Sequence, residues 1–190
     1  MATCGRGAGL TLVELLLGLS LGMALFVTLL QALLLHSRSN ERLVRLVRER
    51  GVQRRTLALL RSEILRAERL DLGESPTLQP ACSLSGRQPV LHLRTAQGTI
   101  SYTIGSPPSA IWRGQVLMRC GPAYGLDGEP STGSSQNRVL LDGLASGGFA
   151  ASRSGPGHLR LQLRQQFPLL DGNRQTISSA LEMATAESAP

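Results

Sequence analysis

A long apolar segment near the amino terminus constrains this chain more than any other feature. The segment runs from Leu10 to Leu35, 26 residues with Glu14 as the only charge. As a helix, a run of this length crosses a hydrocarbon layer about 30 Å thick. A cleaved secretory signal would have a shorter apolar stretch, roughly 7 to 15 residues, followed by a small-residue cleavage site. We therefore expect one transmembrane helix, although a simple uncleaved signal anchor fits the same count.

Glu14 places a carboxylate inside this apolar segment. Inserting a carboxylate to lipid depth costs roughly 2.5 to 3.5 kcal/mol of free energy. We therefore expect Glu14 to have a partner that compensates its charge. If a peptidase cut after Gly9, the new ammonium group of Leu10 would lie four residues before Glu14, one helical turn away. It could neutralise Glu14 within the chain or in a neighbouring copy, where the acid would set the axial register of a helix entering a stack. The alternative is an acid near the membrane interface that is protonated or snorkels toward water.

Two glycines at helical spacing lie further along the same segment. Gly18 and Gly22 form a G-x-x-x-G step, which allows a second helix to approach closely. This short pattern also arises by chance. The two readings, a helix-packing face and a face with no partner, therefore both remain open.

The sequence after the apolar run predicts that the helix continues as an amphipathic stretch. Residues 37–72 contain no proline and are rich in leucine, arginine and glutamate, which favour helix. Gly73 marks the expected end of this helix, and Gly51 a candidate bend. An apolar stripe at spacings of three and four is expected to pack on a partner; it consists of Leu57, Leu60, Ile64 and Ala67.

Residues 73–183 lose the helical period and alternate in short segments bounded by turn residues, which predicts strands. The expected strands are Val90–Thr95, Thr99–Ile104, Ile111–Arg119, Arg138–Leu144 and His158–Phe167. Residues 124–137, "YGLDGEPSTGSSQN", are typical of a long surface loop, and residues 184–190 of a flexible tail.

The last of these strands shows the clearest alternation. Leu159, Leu161 and Leu163 point to one face, while polar residues point to the other: His158, Arg160, Gln162 and Arg164. This pattern indicates an antiparallel sheet with one packed face and one wet face. The expected fold class is therefore α+β, with a long N-terminal helix, membrane half 10–36 and amphipathic half 37–72, packed on an antiparallel sheet.

The charge of the chain is strongly basic. All 20 basic residues are arginine, and 13 acids leave a net charge of +7. This balance suits nucleic acid or an anionic membrane surface, but aromatic residues make up only 3% of the chain, too few for a base-stacking platform. Arginines are dense just after the apolar run, between Arg38 and Arg55. Taken alone, the positive-inside rule would leave the large domain in the cytoplasm.

The cysteines point the other way. Cys4 precedes the apolar run, which leaves Cys82 and Cys120 as a pair in the folded part. A disulfide between them would close a loop of 39 residues and stabilise the domain by roughly 4 kcal/mol. Such a pair suggests an oxidising compartment, and two unpaired buried cysteines are the alternative.

Residue patterns for catalysis or cofactor binding are missing. The three histidines, His36, His92 and His158, lack the spacing of metal ligands, so we expect no metal and no cofactor. No P-loop and no Gly-x-Ser-x-Gly elbow occur. Asp127 and Glu129 could contact calcium, although acids in turns are usually just solvated. These observations argue against an enzyme.

Gly9 and the following "LTLVEL", residues 10–15, closely resemble the processing signal of type IV prepilins and type II secretion pseudopilins. In that family a membrane peptidase cuts after the glycine and methylates the new amino terminus, and the glutamate aligns subunits during assembly. The resemblance implies a leader of residues 1–9, cleavage at Gly9, methylation of Leu10 and an assembly role for Glu14. It also implies a single-pass inner-membrane protein with its globular domain outside the cytoplasm, and we let this override the arginine count.

Three further segments, "ISYTI", "LMRC" and "RVLLDGLASGGFAAS", loosely resemble minor subunits of the W type in pili and the J type in secretion systems. The resemblance implies a minor pilin or pseudopilin that enters or primes a filament. Its partners would be other pilin-like subunits, the prepilin peptidase and the inner-membrane assembly platform. Two alternatives remain: a membrane-anchored extracytoplasmic binding module, for example in adhesion, and capture of nucleic acid by the helix of Arg38 to Arg69, as in DNA uptake.

Overall fold

The structure, a computed structural model, describes residues 11–73, 78–168 and 172–185, apart from the side chains of residues 36–42 and 132. The expected leader and Leu10 lie outside the described residues. The chain divides into two units between Val47 and Arg48. One helix, α1, extends over Leu12–Leu65 and contributes to both units.

In the first unit, most of α1 is apolar. Its residues Leu12–Leu35 form a 24-residue stretch that is long and apolar enough to cross a membrane, and none of it is buried within the chain. The leucine side chains are largely exposed, for example 77% for Leu12 and 67% for Leu35. A helix with this surface must be covered by lipid or by other helices.

In the second unit, α1 buries the expected apolar stripe. Leu60 and Ile64 are almost fully buried, Leu57 is buried, and Ala67 packs against the same core. The helix continues through Gly51, the candidate bend, without interruption.

The sequence analysis was wrong about where the helix ends. α1 ends at Leu65 rather than near residue 72, and its last turn closes with bonds from Arg66 N to Glu63 O and from Ala67 N to Ile64 O. The chain then enters strand β1, Arg69–Leu72, whose Leu70 is buried. The composition here favours helix, but Leu70 and Leu72 have the two-residue spacing of a strand. Pairing with the next strand in the chain makes this segment a strand.

A single antiparallel sheet of seven strands follows α1, and its strands neighbour one another in chain order. After β1 come β2 Arg87–Thr95, β3 Gly98–Gly105, β4 Gln115–Tyr124, β5 Pro130–Gly155, β6 His158–Pro168 and β7 Arg174–Ala184. An N-terminal apolar helix followed by an antiparallel sheet is the α+β layout that the sequence predicts.

The strand predictions succeed where side chains alternate and fail elsewhere. β2, β3, β5 and β6 contain the expected segments, whereas β4 begins four residues later than expected and β7 was missed. The predicted loop 124–137 is also wrong, because Pro130 to Asn137 belong to β5 and pair with β4. This part of β5 consists of small polar residues, and hydrogen bonding to β4 holds it in the sheet.

The dry face of the sheet carries the core. Leu159, Leu161 and Leu163 of β6 are at most 1% exposed, while the polar residues between them are exposed, as the alternation predicts. β3 differs, because residues 99–104 are buried on both faces. Tyr102, paired with Arg119, faces α1, whereas Ser101, paired with Cys120, faces the opposite side. β3 and β4 therefore connect two packed layers.

Candidate functional site

The first turn of α1 holds the acid that the sequence analysis singled out. Thr11 precedes the helix, and its N–H and hydroxyl both donate to Glu14 Oε2, each at 3.4 Å. The N–H of Glu14 donates in return to Thr11 Oγ1, at 3.3 Å. This reciprocal arrangement is a capping box, which satisfies free N–H groups at the start of a helix. Glu14 therefore has partners within its own turn, through bonds that are long for a carboxylate.

The glycine pair lies on an open surface of the same helix. Gly18 and Gly22 are four positions apart, so they share one face, and no atom lies within 4 Å of the position that a side chain would take at either. The hydroxyl of Ser20 donates to Leu17 O at 2.9 Å and that of Thr28 to Leu25 O at 2.8 Å. These two hydroxyls are thus bonded within the helix, and the two glycines leave shallow steps in its surface.

The two cysteines of the folded part are joined. Cys82 and Cys120 form a disulfide with their Cα atoms 5.9 Å apart and 38 positions apart in sequence. This is the pair that the sequence analysis expects. The bond fastens the segment before β2 to the outer face of β4, where the Asn137 side chain also donates to Ser83 O at 3.3 Å.

A buried ionic cluster connects the end of α1 to the sheet, and sequence reasoning missed it. Glu63 is 1% exposed, and Arg119 of β4 donates from Nε to its Oε1 at 2.7 Å. The Tyr124 hydroxyl donates to the same oxygen at 2.6 Å, and the Tyr102 hydroxyl donates to Oε2. Arg119 also donates from Nη1 to Pro122 O at 2.8 Å. One carboxylate thus collects three donors from two strands.

Both tyrosines of this cluster are held protonated. Burial raises the pKa of Tyr102 well above its usual value, and the neighbouring Glu63 raises it further through its charge and hydrogen bond. Burial, together with the hydrogen bond to Glu63, raises the pKa of Tyr124 to about 12. Tyrosines in this state donate hydrogen bonds but transfer no proton near neutral pH. The Glu63 cluster is therefore suited to fastening α1 to the sheet.

A second polar cluster is centred on the uncharged side chain of Gln53. It lies near the opposite end of the packed stretch of α1 from Glu63. Gln53 is fully buried and donates from Nε2 to Gln165 Oε1 at 2.8 Å, while Ser179 donates to Gln53 Oε1 at 2.6 Å. Gln165 donates in turn to Asp142 O at 2.9 Å. These bonds join α1 to β5, β6 and β7, so both ends of the packed stretch have polar attachments.

His92 is buried on the outer side of the sheet. Its Nδ1 lies 2.8 Å from Ser101 Oγ, and its Nε2 has no hydrogen-bond partner among the described residues. Burial lowers the pKa of His92, against an opposing effect of the Asp71 charge. Within the described ranges, no group of three or more His, Cys, Asp or Glu side chains could hold a metal ion.

Asp127 and Glu129, the acids considered for calcium, serve the β4–β5 turn. The N–H of Glu129 donates to Asp127 Oδ1 at 3.0 Å, and the Glu129 carboxylate lies 3.5 Å from Arg66 Nη2. The two acids thus have polar partners within the turn and on the residue after α1.

The Glu63 cluster left a signal in the sequence. Glu63 falls between Leu60 and Ile64 on the stripe that was expected to be apolar, so the pattern placed an acid on the packed face. A buried acid needs paired donors. The expected strands already contained Tyr102 and Arg119, although nothing in the sequence specifies which strand residues meet the helix.

No family model matches the chain, and neither a curated protein nor a solved structure is significantly similar to it.

Proposed function

We propose that this protein is a minor pilin or pseudopilin, a structural subunit that a prepilin peptidase processes and that enters or primes a type IV pilus or a type II secretion pseudopilus. The observation that carries the proposal is the position of Glu14 in the "LTLVEL" stretch. Glu14 lies in the first turn of an apolar helix that is not buried against the described part of the chain. An acid at this point is accessible to the amino terminus of a neighbouring helix.

The proposed assembly step is an exchange of partners at Glu14. Cleavage after Gly9 creates an ammonium group on Leu10, one turn from the acid. Among the described residues, Glu14 is bonded to Thr11 at 3.3 to 3.4 Å. An ammonium group from a neighbouring subunit forms a shorter, charge-assisted bond in a medium of low dielectric constant. Release of Glu14 from its capping box therefore costs little compared with the new ion pair.

The second unit supports the same proposal. It packs the latter part of α1 on an antiparallel sheet through the apolar stripe of Leu57, Leu60, Ile64 and Ala67, the Leu60 stripe. The Cys82–Cys120 disulfide suits an oxidising compartment. In this proposal the protein starts as a single-pass inner-membrane protein with the sheet outside the cytoplasm. Gly18 and Gly22 then allow close approach of other pilin-like helices.

Processing is tested on the mature amino terminus. In cells with an active prepilin peptidase, mass spectrometry is expected to find a chain that begins at methylated Leu10. Gly9→Val should block this cleavage, while Gly7→Val, the matched change within the leader, should leave it intact. A protein that still begins at Met1 in such cells contradicts the proposal.

Assembly is tested on the helix itself. Glu14→Ala is expected to insert into the membrane normally but to be lost from the sheared filament fraction, because the acid that pairs with the neighbour is missing. Ser20→Ala, a change in the same apolar segment, serves as the control and should be incorporated normally. Incorporation of Glu14→Ala at the control level would remove the role proposed for this acid. If the protein is instead an anchored binding module that never polymerises, neither the Glu14→Ala nor the Ser20→Ala variant will be found in the filament fraction.

A further inference from the structure

The face of α1 that points away from the sheet carries an uncompensated positive charge. Between residues 48 and 65 five arginines are exposed: Arg48, Arg50, Arg54, Arg55 and Arg61. Among the residues that the structure describes, none of the five forms an ion pair. The one bond seen for them is from Arg55 Nε to Gly51 O, the carbonyl one turn back, at 3.3 Å. Arginine remains charged at any ordinary pH, so this face carries five positive charges.

The arginines are arranged in rows. Residues seven apart lie almost above one another on a helix, about 10.5 Å along its axis. Arg54 and Arg61 form one row with Arg50 beside them, and Arg48 and Arg55 form another. Between the rows runs a third line of small or apolar residues, again seven apart: Gly51, Ala58 and Leu65. Leu65 is 61% exposed on this line. We name the whole surface the arginine face.

Resting on the proposed function, we infer that the arginine face binds a helix of a different pilin-like subunit, one that presents rows of acidic residues on either side of an apolar line. Charges that flank an apolar line at seven-residue spacing are typical of surfaces that pair helices and select their partners. Gly51, which has no side chain, and Ala58, which has a small one, allow the partner helix to approach closely.

A second copy of the chain does not fit this surface. In the packed stretch of α1 the acids are Glu49 and Glu63, and both face the sheet. Two arginine faces would therefore oppose five positive charges with five more, and like charges across an interface are destabilising. The protein is thus expected to sit beside unlike subunits, as a minor component would.

Nucleic acid fits less well than an acidic helix. The phosphate charges of a DNA strand lie about 3.4 Å apart, closer than the arginines within a row, which are about 10.5 Å apart. An apolar line contributes nothing to the binding of phosphates. The arginine face also contains no aromatic side chain for stacking on bases.

The test uses the full chain in detergent micelles and a designed helical peptide of about three heptads, with an alanine and leucine line flanked by glutamates. A peptide with lysine in place of glutamate and a short DNA duplex are the competing probes. We expect the glutamate peptide to bind, with an affinity that falls as salt rises, and the lysine peptide not to bind. Failure of the glutamate peptide to bind overturns the inference.

Paired variants locate the binding. Arg54→Gln with Arg61→Gln is expected to weaken peptide binding about tenfold, because two ion pairs are lost. Arg94→Gln with Arg164→Gln removes the same charge from exposed positions of the sheet and should leave binding unchanged. An equal loss in both pairs would mean attraction to net charge alone, and would overturn the inference.

A steric variant separates a helix from nucleic acid. Ala58→Trp keeps every charge but fills the line between the rows, so it should weaken peptide binding at least about tenfold and leave DNA binding unchanged. Tighter binding of DNA than of the peptide, with no effect of Ala58→Trp on the peptide, would favour nucleic acid and overturn the inference. Homodimers would overturn it as well, because the inference excludes a second copy of the chain. They would be detected as disulfide-linked dimers of Ala58→Cys, in a Cys4→Ser background, in membranes. None of these measurements depends on leader cleavage, so failure of the proposed function is detected separately.

Discussion

Helix α1 carries one glutamate near each end, and the two have opposite surroundings. Glu14 is exposed, and within the described part of the chain its side chain bonds to Thr11, three residues away. Glu63 is buried, and the described partners of its carboxylate are side chains more than thirty positions away. Between them, Leu12–Leu35 is not buried against any residue that the structure describes, whereas the packed half contributes to the core of the sheet.

This contrast separates two sources of helix stability. The packed half is stabilised by apolar burial and by polar attachments to the sheet, so its stability is a property of the chain. The apolar half is not buried against the described part of the chain, and its surface suits lipid or other helices. The following changes should therefore affect the unfolding of the second unit very unequally, in decreasing order.

Loss of the Glu63 carboxylate should have the largest effect. Glu63→Leu leaves Arg119 buried without a counter-charge and is expected to lower the free energy of unfolding by roughly 3 to 5 kcal/mol. Urea unfolding in detergent, followed by the fluorescence of Trp112, the single tryptophan, reports on the second unit. Glu68→Leu, an exposed acid just after the helix, is the control and should cost far less. Equal costs would show that the Glu63 cluster contributes little.

Removal of the disulfide should come next. Cys82→Ser with Cys120→Ser is expected to lower the free energy of unfolding by about 2 to 4 kcal/mol, because the denatured chain gains freedom in a long loop. The same urea titration measures it, and Cys4→Ser, outside the disulfide, should change nothing. A reduced protein as stable as the oxidised one would contradict this expectation.

Acid should weaken the second unit through His92. Its pKa is lowered below the ordinary 6.5, so the unfolded chain takes up the proton first as pH falls. The contribution of neutral His92 is present above about pH 6.5 and is lost as pH falls through the folded pKa, with a slope of at most about 1.4 kcal/mol per pH unit. His92→Asn should flatten this dependence in urea titrations at several pH values, whereas His158→Asn, at an exposed position, should not. Parallel curves for His92→Asn and the wild type would refute the assignment.

Removal of the Glu14 carboxylate should have the smallest effect on this measure. Glu14→Ala is expected to change the Trp112-monitored unfolding by less than about 0.5 kcal/mol, since its only described partners lie in the first turn. Amide exchange in that turn should rise about fivefold, the effect of losing a cap worth about 1 kcal/mol. A cost comparable to that of Glu63→Leu would end the distinction between the two halves.

The sequence predicted what depends on a repeating pattern. The apolar run, the Leu60 stripe and the alternation in β6 each follow from a period that a single sequence displays. The disulfide followed from having two cysteines in the folded part. Nothing in such patterns depends on which strand lies beside which.

The missed features depend on neighbours distant in the chain. β7 contains serines and alanines among its few apolar residues, and its pairing with β6 over eleven positions makes it a strand. The first part of β5 has no apolar pattern and is held by β4. The partners of Glu63 lie 39, 56 and 61 positions away, and only the register of β3 and β4 brings them together. The capping box is different, since Thr11 and Glu14 have the right spacing and could have been found.

Strand β4 places Arg119 and Cys120 side by side, one facing α1 and the other facing away. A pulling force along α1 is therefore passed to β4 through an ionic contact that resists sliding of the helix, in addition to the Gln53 attachments at the other end of the packed stretch. The adjacent covalent bond to Cys82 would then spread the load to a second segment of the chain. Tension that enters through the helix is therefore shared by both layers of the domain.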